Sequence, residues 1–293
     1  MDINKKEIIE ALKFYDINNN KYLNNCLECA SYIENNKTLL NKVKEIIDIL
    51  YNKKDYLLAK LWKIKSNQEL FGEKYHPFVT SVIVLLGYKI HKKNIEKYNL
   101  NDYQIDIHKK RVKEALTYDI YERNYCGIRI SQMLWASYFI NLKIIEVGSL
   151  QYELVNINPL TNKQEKCIKI HIPRNCNLDI NSVKLSINKS KYEILKYFKL
   201  NNLNYYCESW LLSKNVLNLL NDNSNIKIFS KLFDVVDGKN CINDILNFVY
   251  DKLNCEDYNT LQENTYLQRK IKKELINGVI IKIGIGKLKE EII

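Results

Sequence analysis

The spacing of apolar residues changes once along this 293-residue chain, and that change constrains the fold more than any short motif does. From Ile3 to about Asn124, apolar residues recur at intervals of three and four, for example over residues 39–50 and 57–62. This spacing places them on one face of an α-helix. After residue 143, short runs alternate polar with β-branched residues, which is typical of strands. We therefore predict an α+β protein with an all-helical domain over residues 1–124 and a second domain over residues 125–293.

The second domain is predicted to be a mixed β-sheet flanked by helices. Its helical segments share a spacing of three to four residues, and Gly278 ends the last of them in the usual way for a helix C-terminus. Gly284 and Gly286 are interpreted as a turn at the end of the last strand. The predicted strands are residues 143–146, 148–157, 166–172, 205–211, 226–236 and 279–285, and the predicted helices are residues 182–198, 214–220, 240–252 and 265–277.

The composition describes a chain that folds around hydrophobic cores and carries an excess of positive charge. Hydrophobic residues make up 46% of it, and with only three prolines and eight glycines a long disordered linker is not expected. The net charge is +11, from 45 basic and 34 acidic residues. Most of the basic residues are lysines scattered singly along helices, without an arginine-rich stripe, so we predict no nucleic-acid partner. The charge still suits an anionic small-molecule ligand.

Neither a membrane segment nor a metal site is predicted. The longest apolar run, residues 82–87, is far shorter than the roughly 20 residues that cross a bilayer, so we predict a cytoplasmic protein without a membrane partner. Its eight cysteines would then be reduced and mostly buried. Cys26 and Cys29 form half of a zinc motif, but no second pair follows and both lie in a helical pattern.

Five short sequence words follow one another in the second half of the chain. They are VGSLQYE at 147–153, IHIP at 170–173, CESWLL at 207–212, NSNI at 223–226 and TYLQR at 265–269. In this order they resemble the bacterial family of GNAT-like acyltransferases, which pair a helical N-terminal domain with a GNAT-like C-terminal domain. Ser149 departs from the family word, which has an arginine there.

The resemblance implies an N-acyltransferase that uses acyl-CoA as its co-substrate, with acetyl-CoA as the expected donor and a small-molecule or peptide amine as the acceptor. In this architecture two parallel strands separate, and the pantetheine arm pairs with the backbone of the first strand. The pyrophosphate binds at the start of the next helix. Mapped onto this chain, the donor would contact Ile170, Ile172, Arg174, Asn175 and Ser182.

The loop over residues 173–182 departs from ordinary GNAT enzymes, because it lacks their glycine-rich phosphate cradle. Arg174 can supply a positive charge, and Asn175 tolerates the positive φ that a cradle needs. Asp179, however, would oppose a phosphate. This leaves open an alternative, a catalytically inactive GNAT-like protein that binds a ligand or regulates.

Amide formation needs a base that takes a proton from the amine and a donor that protonates the leaving thiolate. Strand alternation places Lys169 and His171 on one face of their strand, and Tyr206 and Glu208 on one face of the next. If these faces coincide, His171 can act as the base and Glu208 as the carboxylate that orients it, with Tyr206 as a candidate acid. Tyr152 and Tyr205 are further candidate acids.

Structural interpretations of the same residues remain open. In these interpretations His171 ends a strand and caps a turn, and Glu208 pairs with a nearby lysine. Cys207 lies in the middle of a predicted strand, where a buried structural thiol is expected rather than a nucleophile.

Overall fold

The computed structural model describes residues 3–52 and 55–292, which form two compact units that divide between Ile144 and Ile145. Residues 1, 2, 53, 54 and 293 of the predicted domains lie outside the described residues. Within the described part, the first unit has no strand before Ile144, as predicted. Its helices are α1 (Lys5–Phe14), α2 (Asn20–Glu34), α3 (Lys37–Tyr51), α4 (Asp55–Leu61), α5 (Asn67–Phe71), α6 (Val79–Leu86), α7 (Tyr88–Lys97), α8 (Asp102–Tyr121) and α9 (Ile130–Ile140).

Asparagine side chains begin several of these helices. The side-chain oxygens of Asn4, Asn19, Asn36 and Asn101 each accept a hydrogen bond from a backbone N–H in the first helical turn. Such caps satisfy donors that the helix itself leaves unpaired. Helix α6 is buried along its whole length, which fits its uninterrupted apolar sequence.

The division between the units falls about one helix later than the predicted boundary near residue 124. Helix α9 belongs to the helical core, where Met133, Leu134 and Phe139 are fully buried. The irregular segment before α9 connects two helices of the same unit.

The second unit is a mixed sheet with flanking helices, as predicted. Among the described residues the sheet has six strands in the order β1-β2-β3-β4-β6-β5. Strands β3 and β4 run parallel, whereas the pairs β2–β3, β4–β6 and β5–β6 are antiparallel. The strands are β1 (Ile144–Val147), β2 (Leu150–Ile157), β3 (Gln164–His171), β4 (Tyr205–Ser209), β5 (Phe233–Asn240) and β6 (Lys282–Leu288), and the helices are α10 (Ile180–Phe198), α11 (Lys214–Leu217), α12 (Asn225–Ser230), α13 (Ile242–Val249) and α14 (Tyr266–Ile276).

Two predictions in this unit are wrong. Residues 226–236 do not form one strand: helix α12 comes first, capped by the Ser224 hydroxyl, which accepts from the Lys227 N–H, and β5 begins only at Phe233. Gly284 and Gly286 lie inside β6 rather than in a turn. A Cβ atom on Gly284 would stand 2.2 Å from the Leu212 carbonyl oxygen, so this glycine permits a close approach of two backbones.

The two faces of the sheet have different surroundings. On one face, the Tyr152 hydroxyl lies 2.8 Å from Ser186 Oγ of α10, and the Tyr205 hydroxyl lies 3.2 Å from Ser190 Oγ of the same helix. On the other face, Glu208 of β4 stands opposite Ile285 of β6, where apolar residues of α13 and α14 pack. Helix α10 therefore covers the first face, and the polar side chains described below belong to the second.

Candidate functional site

The parallel strands β3 and β4 stop pairing before either of them ends. Their pairing extends from Ile168 and Tyr205 to Ile170 and Cys207. Strand β3 continues to pair with β2 as far as His171, and β4 continues to pair with β6 as far as Ser209. In the described structure, the ends of the two parallel strands thus have backbone edges that face each other without pairing, which leaves a gap between β3 and β4 at this end of the sheet. An extended ligand could add to such an edge.

His171, the last residue of β3, is held by a carboxylate at this gap. Its Nε2 atom lies 2.8 Å from Glu153 Oε2 of strand β2, and both side chains are mostly buried, with 20% and 12% of their surface exposed. A carboxylate in this position orients an imidazole ring and selects its tautomer. When Nε2–H donates to Glu153, the lone pair is on Nδ1. The arrangement suits a general base.

Glu208, predicted to orient His171, pairs with Lys169. The distance between Lys169 Nζ and Glu208 Oε2 is 2.7 Å. Glu208 therefore contacts a lysine, as its structural interpretation expected, and the carboxylate bonded to the His171 ring is Glu153. The two predicted faces do coincide, since Lys169 and Tyr206 are directly paired across β3 and β4. Burial raises the pKa of Glu208, but the charge of Lys169 and its hydrogen bond lower it. The charges of Lys239 and His171 act in the same direction as Lys169, so the pKa of Glu208 is lowered overall.

Helix α13 adds a further carboxylate to this face. Burial raises the pKa of Asp244, in its first turn, and the nearby charge of Glu208 acts in the same direction, while Lys239 and Lys169 act against it. The polar face therefore combines carboxylates with lysines around His171. Groups that interact in this way are typical of functional sites.

The tyrosines proposed as acids lie away from the His171 ring. The Tyr206 hydroxyl accepts a hydrogen bond of 2.9 Å from Asn158 Nδ2, near the start of β3. Burial and the charge of Glu165 raise the pKa of Tyr206. Tyr152 is fully buried on the α10 face, and burial raises its pKa well above the ordinary value. Tyr152 is therefore structural, whereas Tyr206 shares the polar face but is directed toward the opposite end of the strands from His171.

The loop between β3 and α10 differs from a phosphate cradle. Asn175 has a φ of 60°, as its residue type allows. The Asp179 carboxylate caps α10, accepting from the N–H groups of Asn181 and Ser182 at 3.1 and 3.0 Å. A phosphate that binds the Ser182 N–H would have to displace this carboxylate. Ile172 directly follows β3 and is partly exposed, while Ile170 is buried.

Arg174 of the same loop contacts helix α13. Its guanidinium lies 3.3 Å from the Asn247 carbonyl oxygen and 3.6 Å from Asp251 Oδ1, and it stands over the Phe248 ring. The loop is thereby tied to α13, the helix that also carries Asp244. The positive charge of Arg174 remains near the end of β3, where a phosphate contact was predicted.

The cysteines are thiols rather than disulfides, and several are deeply buried. Cys207 is fully buried and its pKa is raised to about 12 by burial, which confirms its structural interpretation. Cys26 and Cys29 are buried within α2. Among the described residues, no group of three or more His, Cys, Asp or Glu side chains is arranged to hold a metal ion. In the same part of the chain, no helix combines the length and apolar character needed to cross a bilayer.

One cavity of about 420 Å³ lies elsewhere, beside the C-terminal part of α10. Tyr192, Leu195 and Leu203 are among the residues that line it, and Tyr205 at the start of β4 forms one wall. Because the gap lies at the opposite ends of the parallel strands, this cavity is not part of the candidate site.

A mixed sheet with flanking helices, whose two parallel strands separate toward one end, is a GNAT-like fold. Residues 144–288 match the family described as GNAT-like C-terminal domain. The second half of the chain is therefore a GNAT-like C-terminal domain, as the five sequence words indicated. No curated protein matches the chain.

Solved structures with the same fold are acyltransferases. A mutant acyltransferase in complex with octanoyl-CoA has a TM-score of 0.76 at 15% identity, over 97% of this chain and 88% of that chain. An acyltransferase in complex with decanoyl-CoA and teicoplanin has a TM-score of 0.64 at 15% identity, over 82% and 77%. A third, in complex with CoA and 10C-teicoplanin, has a TM-score of 0.66 at 13% identity, over 96% and 87%. At these identities the likeness establishes the fold.

Proposed function

We propose that this protein transfers an acyl group from acyl-CoA to an amine, with His171 as the general base and Glu153 as the carboxylate that orients it. The observation that carries the proposal is the 2.8 Å contact between His171 and Glu153 at the point where β3 and β4 stop pairing. A proton acceptor thus stands beside the strand edge on which the pantetheine arm of a donor would lie. The acyl-CoA ligands of the structural relatives support the same donor class.

In this mechanism the neutral amine nitrogen attacks the thioester carbon. The new C–N bond forms, the C–S bond breaks, and the sulfur leaves as the CoA thiolate. His171 Nδ1 takes the proton that the nitrogen loses, and Glu153 stabilises the resulting imidazolium. The proton then reaches the thiolate or water, which completes the balance. The backbone near Ile170 and Ile172 holds the donor, and Arg174 attracts its phosphates.

The donor is proposed to carry a medium-length acyl chain rather than the acetyl group expected from the sequence. Structural relatives hold octanoyl-CoA and decanoyl-CoA. The acceptor is proposed to be an amine on a small molecule or a peptide-like compound, and the relatives with teicoplanin support this class.

The test combines donor binding with turnover. Purified protein is titrated with CoA, acetyl-CoA, octanoyl-CoA and decanoyl-CoA in a calorimeter, and the acylated amine is then measured by mass spectrometry across a panel that includes teicoplanin and simple amines. We expect the longer donors to bind more tightly than acetyl-CoA and wild-type protein to form an amide. His171→Ala should lower the rate by about 100-fold or more. Glu263→Gln, which removes a carboxylate from a distant ion pair, should leave the rate unchanged.

The alternative is a GNAT-like protein that binds a ligand without turnover. The observation that favours it is the Asp179 cap, which occupies N–H groups that a pyrophosphate would use. The calorimetric titration and the product measurement separate the two functions. Tight binding of acyl-CoA, with no amide formed from any amine in the panel, would support the binding protein.

A further inference from the structure

Glu153 and Lys169 face each other directly across the antiparallel strands β2 and β3. Opposite charges at directly paired positions normally attract each other, because their Cβ atoms are only about 4.5–5.5 Å apart. Here the Glu153 carboxylate instead reaches diagonally to His171, and Lys169 turns to Glu208 on the other neighbouring strand. The expected ion pair is thus replaced by two contacts with other partners.

Lys169 lies between two carboxylates that compete for it. Glu153 is its cross-strand neighbour on β2, and Glu208 is bonded to it at 2.7 Å from β4. Burial disfavours the Lys169 ammonium, but the charge of Glu208 and the hydrogen bond to it outweigh burial and raise the pKa of Lys169. The charge of Glu153 acts in the same direction. These contacts favour the charged form of Lys169, and its direct pairing with Glu153 places it within reach of the carboxylate that orients His171.

We propose that Glu208 is a positioning residue, which holds the Lys169 ammonium on the β4 side of β3 and thereby keeps the Glu153 carboxylate on His171. Without this carboxylate, Lys169 forms the ion pair with Glu153 that its register favours. His171 then loses the group that fixes its tautomer. The expected loss of catalytic rate rests on the proposed acyl transfer. The expected change in the His171 tautomer does not depend on that function.

The test is a double-variant rescue. Glu208→Gln preserves the shape of the side chain and removes its charge, so Lys169 is released toward Glu153. We expect the rate of acyl transfer to fall by about 10-fold or more, because the base is no longer oriented. Adding Lys169→Met removes the competing cation, and we expect the double variant to recover most of the wild-type rate. Glu263→Gln and its double variant with Lys272→Met, at an ion pair outside the site, are the matched controls.

The second measurement is the tautomer of the His171 ring, observed by NMR of protein labelled with nitrogen-15 in histidine. The His171→Gln variant identifies which signals belong to His171. We expect one dominant tautomer in the wild type, a mixture in Glu208→Gln, and one tautomer again in the double variant. This readout decides the proposal even if no acyl transfer is detected. The proposal is overturned if the His171 signals are unchanged in Glu208→Gln, or if the double variant is as impaired as the single variant.

Discussion

Glu153 lies diagonally across the β2–β3 ladder from His171, and the two side chains meet at 2.8 Å between the carboxylate Oε2 and the imidazole Nε2. The residue directly opposite His171 is Gln151, whose amide donates to Glu146. Diagonal neighbours in a sheet are about 7–8 Å apart at the backbone, which long side chains can span. The pair is therefore held by strand pairing rather than by a loop.

Replacing Glu153 with glutamine should lower the rate of acyl transfer by about 10-fold or more while acyl-CoA affinity stays nearly constant. An amide can still contact the ring but cannot stabilise the imidazolium that forms when the base takes a proton. Initial rates measured by mass spectrometry and binding measured by calorimetry separate the two effects. An equal loss of donor affinity would show that Glu153 holds the donor rather than the base.

The sequence alone could not reveal this pair, because an irregularity in the β2–β3 pairing, with one extra residue on β3, sets the register. The pairing shifts between Val155 and Ile157. If the pairing of Ile157 with Gln164 continued without that shift, Glu153 would face Ile168 and lie on the opposite side of the sheet from His171. A shift of one residue exchanges the two faces of a strand. The short connection between the strands does predict that β2 and β3 form a hairpin. Such a hairpin places a residue near position 153 beside His171.

The features that could be predicted from the sequence are those that depend on a local pattern of residues, or on the five sequence words and their order. The helical first unit and the mixed sheet follow from spacing. Strand alternation places Lys169 with His171 on one face of β3, and Tyr206 with Glu208 on one face of β4. The segment around Ile226 and Ile228 was misleading, because its apolar residues alternate although they belong to a short helix capped by Ser224. Partners on different strands, such as Lys169 and Glu208, depend on register and could not be selected from several candidates.

The Tyr152 hydroxyl provides a test that separates structure from catalysis. Its contact with Ser186 links strand β2 to α10 on the face away from His171. Tyr152→Phe should lower the free energy of unfolding by about 1 kcal/mol, the usual contribution of a buried hydrogen bond. The rate of acyl transfer should remain that of the wild type. Urea unfolding and initial rates measure the two quantities, and a large loss of rate in a stably folded variant would return Tyr152 to the list of candidate acids.

Arg174 tests where the donor phosphates lie. Arg174→Glu replaces a positive charge near the end of β3 with a negative one, so we expect acyl-CoA affinity in calorimetry to fall by about 10-fold, corresponding to roughly 1.4 kcal/mol. Asp251→Asn removes the carboxylate paired with Arg174 but keeps the arginine, and it serves as the control. An unchanged affinity in Arg174→Glu would place the phosphates elsewhere. An equal loss in both variants would indicate that the tie between this loop and α13 matters rather than the charge.

His91, in the helical unit, is fully buried, and its Nδ1 atom lies 3.1 Å from the Tyr15 hydroxyl. Burial lowers its pKa well below the ordinary value, and the neighbouring His108 and Lys109 act in the same direction. His76 is less buried, but burial lowers its pKa as well. In the unfolded chain such histidines titrate near 6.5.

Protonation of His91 should therefore favour unfolding. The stabilisation is fully present above about pH 6.5 and decreases as the pH falls through that value, because the unfolded chain binds a proton that the folded chain does not. Each such histidine contributes up to about 1.4 kcal/mol per pH unit. We expect urea unfolding of the full chain, followed by circular dichroism, to show this loss between pH 7 and pH 5, and His91→Phe to show a smaller slope. An identical slope in His91→Phe would mean that other groups, His76 among them, account for the acid sensitivity.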